Sequence, residues 1–310
     1  MQKTISEFGL IERIAAMFPA PEGMQGIGDD CAVIPRGDGK DTLVSTDLLT
    51  EGIHFLRDRI PPHELGWKAA AVNLSDIAAM GGKPTGTFLS LALPKDCDEG
   101  FIIRMMEGYT DASRSYGTPL LGGDTCASAG ALTLNVTVLG ECPHGKALLR
   151  SSARPGDGIF VTGTLGDSAA GLKAIQEGLP ATELIRRHYH PVPRIEEGLR
   201  LAACNGAGAA MDLSDGLASD LRHILKASGC GACIDVKALP LSPELLTFCR
   251  QYGADALELA LCGGEDYELL FTLRPGCPPP VPCARIGQVT SAPGLVWEGS
   301  DRDFRGFTHF

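Results

Sequence analysis

Six short acidic segments, each beside glycine or a small hydroxyl residue where a strand or helix pattern begins or ends, constrain this chain more than any other feature. They are Gly26-Ile27-Gly28-Asp29-Asp30, Ser45-Thr46-Asp47, Asn73-Leu74-Ser75-Asp76, Gly122-Gly123-Asp124-Thr125, Asp212-Leu213-Ser214-Asp215-Gly216 and Gly263-Gly264-Glu265-Asp266. Taken singly, each reads as a helix cap or a turn. Capping does not explain an acid on a helix itself, as at Asp76, with Asn73 one turn earlier on the same face. Carboxylates, hydroxyls and exposed carbonyls together suit a hard cation, Mg²⁺ above Zn²⁺ or copper. Mg²⁺ held by one or two protein carboxylates usually keeps water and substrate phosphate as its other ligands, so several such acids suggest several ions on a polyphosphate.

Between these segments the patterning alternates. Helical spacing is predicted from Ser6, as cap, to Phe18, over Glu64 to Met80, after an Asp98 cap to Gly117, and at Ser168 to Glu177, Ala181 to His188, Arg194 to Cys204 and Leu217 to Ser228. Strands are predicted at Asp41 to Leu49, Thr87 to Leu93, near Leu120, at Leu132 to Leu139 and at Ile159 to Thr162, with alternation continuing to the C-terminus. The Pro275 to Pro282 tract reads as a stiff connector. At 310 residues the chain exceeds what one ordinary core holds comfortably, so two domains are expected, with one large α/β domain as the alternative. The turn-rich Cys142-Pro143-His144-Gly145 places the division near residue 147, giving an α/β chain of the α+β type with domains 1–147 and 148–310.

Hydrophobic residues make up 44% and charged residues 21%, which excludes a disordered chain. A net charge of -11 without a basic cluster argues against a nucleic-acid partner. No apolar run approaches the roughly 18 residues of a membrane span, and the polar, acidic start predicts no signal peptide. Eleven scattered cysteines suit a reducing cytoplasm.

Other motifs are weaker. Gly166-Asp167-Ser168-Ala169-Ala170-Gly171-Leu172 has the glycine spacing of a phosphate-binding loop, but Leu172 replaces the required lysine. Cys230-Gly231-Ala232-Cys233 lacks a second pair and reads as packed thiols, and His188-Tyr189-His190 reads as a helix end. His54 follows the Asp47 segment closely, and a structural role and a ligand-facing one stay open. A Gly-Asp turn, a Leu-Ser-Asp segment and a Gly-Gly-acid segment also recur in order, through Asp30, Asp76 and Asp124 and then Asp167, Asp215 and Asp266, an echo that duplication or chance would produce.

Taken in order, GIGDD, STD followed by Gly52-Ile53-His54-Phe55, NLSDIAAMG, GGDT, RSSARPGD, GTLGDSAAGL, HYHPVPR, DLSDGL, GGEDYEL and a terminal GFTHF resemble the thiamine-monophosphate kinase family from about residue 24 to the last residue. The resemblance implies the ATP-using superfamily that includes aminoimidazole ribonucleotide synthetase and selenophosphate synthetase. It implies an N-terminal mixed sheet with helices, which pairs with its twin in a homodimer and carries the ATP side, and a C-terminal α/β domain that completes the nucleotide and substrate sites. The implied reaction is in-line transfer of the ATP γ-phosphoryl group to thiamine monophosphate, giving thiamine diphosphate and ADP in thiamine diphosphate biosynthesis.

Carried across by motif, Asp30, Ser45, Thr46, Asp47, Asp76, Asp124, Asp212 and Asp215 correspond to ligands of several Mg²⁺ ions. Gly123, Asp124, Arg150 and Ser214 correspond to ATP contacts, and His54, Glu265 and Phe307 to residues at the thiamine end. No dedicated base is expected, because the attacking phosphate oxygen is largely ionised near pH 7. Ser151-Ser152-Ala153 and the short proline tract depart from the family pattern, and neither touches the acids. The alternatives are a related ATP-dependent synthetase with another small substrate, and a Mg²⁺- or Ca²⁺-binding regulatory module, which would not require His54, Glu265 and Phe307.

Overall fold

The computed structural model describes residues 7–307. Its first half runs α1 (Glu7–Met17), β1 (Ala32–Pro35), β2 (Lys40–Thr50), α2 (Pro62–Ala79), β3 (Lys83–Pro94), α3 (Glu99–Ser115), β4 (Leu120–Ser128) and β5 (Thr133–Pro143). These strands form one mixed sheet in the order β1-β2-β5-β3-β4, in which only β3 and β4 are parallel. Alternation decides its faces: Leu134, Val136 and Val138 of β5 are fully buried, whereas the residues between them are not.

The second half runs β6 (Gly158–Val161), α4 (Asp167–Glu177), α5 (Thr182–Tyr189), α6 (Ile195–Ala202), β7 (Ala207–Asp212), α7 (Leu217–Ser228), β8 (Gly231–Asp235), α8 (Pro243–Tyr252), α9 (Ala256–Cys262), β9 (Leu269–Leu273), β10 (Ala284–Thr290) and β11 (Gly294–Glu298). Its six strands are ordered β11-β8-β10-β6-β9-β7. The central strands β6 and β9 are buried at every position, as expected of strands covered on both faces.

Helix α2 links the two halves. Ala69, Ala70, Ala71, Val72, Leu74, Ile77, Ala78 and Ala79 are buried around its whole circumference, a pattern a surface helix never shows. Its Leu74 and Ile77 share one core with Val138 of the first sheet and Phe160, Ala210, Leu269 and Phe271 of the second. Two glycines bring α3 against it: a Cβ at Gly66 would lie 1.7 Å from the Met105 carbonyl oxygen, and one at Gly108 would lie 1.8 Å from that of His63. Any side chain at either position would force the helices apart.

The structure agrees with the predicted fold class, and the Asp98 cap is present, its Oδ2 accepting the Phe101 N–H at 3.2 Å. The Ser6 cap lies outside the described residues. One expectation is corrected: alternation stops at α9, and β9, β10 and β11 follow one another without a helix. Both β9 and β10 pair antiparallel with β6, on its two sides, and so run parallel to each other; the proline connector therefore returns along the length of β6, from Leu273 opposite Gly158 to Ala284 opposite Val161. Among the described residues no helix is long and apolar enough to cross a membrane.

Candidate active site

Asp30, Asp76 and Asp212 come from three separated segments and each offers a carboxylate oxygen, all within 4.8 Å of one another. Asp30 ends the loop before β1, Asp76 sits in the last turns of α2, and Asp212 ends β7 of the second sheet. Helix α2 therefore carries an acid from one half to meet an acid from the other. Strand β2 supplies the border, because Ser45 and Asp47 share the face of that strand turned toward α2. Ser45 lies close enough to Asp76 to lower its carboxyl against the stronger effect of burial, and Asn73 Oδ1 accepts the Asp47 N–H at 3.2 Å. Ser75 Oγ, fully buried, donates to Asp212 Oδ2 at 2.5 Å.

These carboxylates are held against their own charge. Burial and then Asp30 push Asp47 up to about 6, and burial and then Asp30 push Asp212 up to about 8. Burial, followed by Asp47 and Asp212, raises Asp76 well above the ordinary carboxylate range. Arg150 is the cation placed against the group: its guanidinium pairs with Asp30, and its backbone N–H donates to Asp29 Oδ1 at 2.7 Å. One arginine does not balance four acids, and Asp30 Oδ2 is buried without a hydrogen-bond partner among the described residues. An all-oxygen donor set with surplus negative charge and an orphaned buried oxygen fits a hard divalent cation such as Mg²⁺. Cys31, buried beneath the group, is held as a thiol by burial and by Asp76.

A second cluster adjoins the first through Asp212-Leu213-Ser214-Asp215. The Ser214 carbonyl accepts the Glu265 N–H at 2.8 Å, and the Asp215 carbonyl accepts the Phe307 N–H at 3.0 Å. The Asp215 N–H donates to Oδ2 of Asp220, a fully buried acid on α7. Burial alone would raise Glu265, but Lys68, His188 and His54 together hold its carboxyl below the usual range. His54 Nδ1 accepts the Thr50 N–H at 3.0 Å, which fixes the ring beside the end of β2. Phe307 keeps half of its surface exposed.

Thr46 and Asp124 lie on the other face of the first sheet. Strand register sets Asp47, Val136, Leu89 and Gly123 in one cross-strand row, and Leu48, Asn135, Ser90 and Asp124 in the next. Successive rows face opposite ways, so Asp124 and Thr46 point away from Asp30, Asp76 and Asp212. Thr46 Oγ1 instead donates to the Val136 carbonyl at 3.1 Å, and exposed Asp124 accepts the Thr125 N–H at 2.8 Å. Three inter-strand spacings, roughly 14 Å, separate β4 from β2. Gly123 is on the inner row, where a Cβ would lie 1.7 Å from the Leu89 carbonyl oxygen.

Residues 28–142 match the N-terminal domain of AIR synthase related protein, and residues 154–298 match its C-terminal domain. Thiamine-monophosphate kinase of Escherichia coli strain K12 is 45% identical over 305 residues, covering 92% of this chain and 91% of the relative. The enzyme of Salmonella typhimurium is 48% identical over 254 residues, 80% of this chain and 76% of the relative. The chain belongs to the thiamine-monophosphate kinase family. Within that family, the solved structure of AaThiL complexed with AMPPCP and TMP superimposes with a TM-score of 0.92 at 36% identity, covering all of both chains.

Two residues of the site, Lys68 and Asp220, carry little motif signal of their own, and His188, whose segment the sequence offers only as a helix end, is brought against Glu265. Lys68 is legible only as a lysine set among alanines on a helix with no polar face. The sequence echo does not build a second copy of the acid site. Asp266 accepts the Gly166 and Ser168 N–H groups at the start of α4, Asp167 pairs with Arg187, and the Asp215 N–H donates to Asp220. Cys230 and Cys233 lie among the described residues as free thiols.

Proposed function

We propose that this chain phosphorylates thiamine monophosphate to thiamine diphosphate with ATP as donor, by direct in-line transfer. The observation that carries this reading is the convergence of Asp30 and Asp76 with Asp212 across the two halves, in a chain that aligns end to end with a relative solved with AMPPCP and TMP. Donor and acceptor are both phosphates, and two unit charges 4 Å apart repel by about 4 kcal/mol at an effective dielectric of ~20. Positioning and charge neutralisation therefore dominate the barrier.

Asp30, Asp76 and Asp212, with Asp47 and Ser45 beside them, would hold Mg²⁺, which when bound supplies positive charge to the phosphates. Arg150 adds a fixed cation on the nucleotide side, and its pairing with Asp30 keeps the guanidinium aimed at the acids. Ser75 and Asn73, both buried on α2, fix Asp212 and the β2 backbone without titrating. Glu265, His54 and Phe307 would take the thiamine end, where a carboxylate and an exposed aromatic ring suit the cationic thiazolium. Thr46, Asp124, Asp215, Gly123 and Ser214 keep the ligand and ATP roles that their motifs imply.

The same reading includes a cytoplasmic homodimer with domains divided near residue 147. Support for pairing comes from the outer face of the first sheet, where Leu48, Phe88 and Leu121 are exposed beside the edge strand β4. Asp124 and Thr46 share that face, so pairing there would bring them to the seam between copies.

The deciding experiment incubates purified protein with ATP, Mg²⁺ and thiamine monophosphate and follows ADP and thiamine diphosphate by chromatography. Product that requires both substrates is expected, and ATP turnover indifferent to thiamine monophosphate would defeat the reading. Phe307→Ala is expected to raise KM for thiamine monophosphate more than KM for ATP in the same assay.

A further inference from the structure

Lys68 has no solvent exposure, yet it carries a charge into the junction of the two halves. Its Nζ lies 2.9 Å from Glu265 Oε1 and 3.5 Å from His188 Nε2. A buried ammonium persists only when paired. His188, buried on α5, turns Nδ1 toward Ser168 Oγ of α4 at 3.0 Å and lies 3.4 Å from Glu265 Oε2. The Glu265 backbone is constrained as well, with φ at +65°, a left-handed conformation uncommon for a residue with a side chain. Elements α2, α4, α5 and the glycine-rich loop thus converge on one carboxylate, whose side chain keeps 22% of its surface exposed.

We propose that Lys68 is a positioning residue for the acceptor substrate: it commits one Glu265 oxygen to its ammonium and so directs the exposed remainder of the carboxylate at the cationic end of thiamine monophosphate. This rests on the reading of Glu265 given above. Lys68 also shares α2 with Asp76, eight residues on, or about 12 Å along a rigid helix at 1.5 Å per residue. One helix therefore sets the span between the acids that serve the phosphates and the carboxylate that serves the thiamine end. A flexible connection would leave that span to be organised by the substrate at the cost of affinity.

The test is steady-state kinetics of the full chain with each substrate varied. Lys68→Met is expected to raise KM for thiamine monophosphate about tenfold or more, leave KM for ATP within about twofold and change kcat less than either. Lys68→Gln keeps a donor for Glu265 and guards against misfolding; it is expected to shift the same KM in the same direction by less. The double variant Lys68→Met with Glu265→Gln removes both buried charges and is expected to match Glu265→Gln alone, because Lys68 acts only through that carboxylate. An unchanged KM for thiamine monophosphate in a folded Lys68 variant overturns the proposal. Equal increases in both KM values, the mark of a merely structural residue, overturn it too. The wild-type control separates the two readings: absence of thiamine diphosphate there counts against the proposed reaction, whereas a silent Lys68 in an active enzyme counts against Lys68 alone.

Discussion

Asp212→Asn is expected to lower phosphoryl transfer by about 10²–10³-fold while raising the melting temperature of the metal-free protein. Both effects have one cause. Asp212 is buried to within 3% of full burial, accepts a hydrogen bond from Ser75 and lies among Asp30, Asp47 and Asp76. Its carboxyl, pushed up to about 8, stands well above the unfolded value of 3.8. Between those two pH values the folded state binds a proton that the unfolded chain releases, so this group's contribution to stability is full below about pH 4 and is lost as pH rises toward 8. Asparagine keeps the Ser75 hydrogen bond and carries no such dependence. The gain should therefore grow from pH 5 to pH 8 and reach a few kcal/mol, read as several degrees of melting temperature in chelator. Wild-type turnover, or a variant less stable than wild type at pH 8, would refute the account of this residue.

Chelation of divalent metal from the wild-type protein is expected to abolish transfer and to lower its melting temperature by roughly 5–10 °C relative to saturating Mg²⁺. At a hundredfold excess over Kd, one bound ligand stabilises by about 2.7 kcal/mol, and each kcal/mol is worth about 2–4 °C in a chain of this size. Four acids served by one arginine can ionise together only when a divalent cation joins them, and its binding releases the protons that burial and mutual repulsion hold on Asp76 and Asp212. Nucleotide should add further stabilisation only when metal is present, because its phosphates meet the same acids. Stabilisation by Mg²⁺ with no further response to nucleotide would instead indicate a metal-binding module. Differential scanning fluorimetry across the four combinations of metal and nucleotide distinguishes the cases.

The six acidic segments and most elements around them were legible in the sequence because they rest on local chemistry. Asp98 caps α3 through its own carboxylate, and the small-residue run of α2 can pack on every side wherever it is placed. Two features of the site had a signal that motif order hides. Period-two alternation along β2 already separates Thr46 from Ser45 and Asp47, and a lysine inside an all-buried helix already calls for a counter-charge. The position of Asp124 had none, since its face depends on three successive strand pairings that set β4 against β3, β3 against β5 and β5 against β2.

By itself the sequence determined which residues carry charge and where α1 to α7 and the strands β2 to β6 lie, whereas β1, β7 to β11, α8 and α9 were not placed by local patterning. Only the tertiary structure decided which acids meet, because Asp30, Asp76 and Asp212 are brought within 4.8 Å by packing α2 between two sheets. The same packing seats Lys68 against Glu265 and turns Asp124 to the opposite face. Propensity and capping act over a turn of chain, whereas the electrostatics of this site depends on contacts between residues far apart in sequence, such as Asp30 with Asp212 and Lys68 with Glu265.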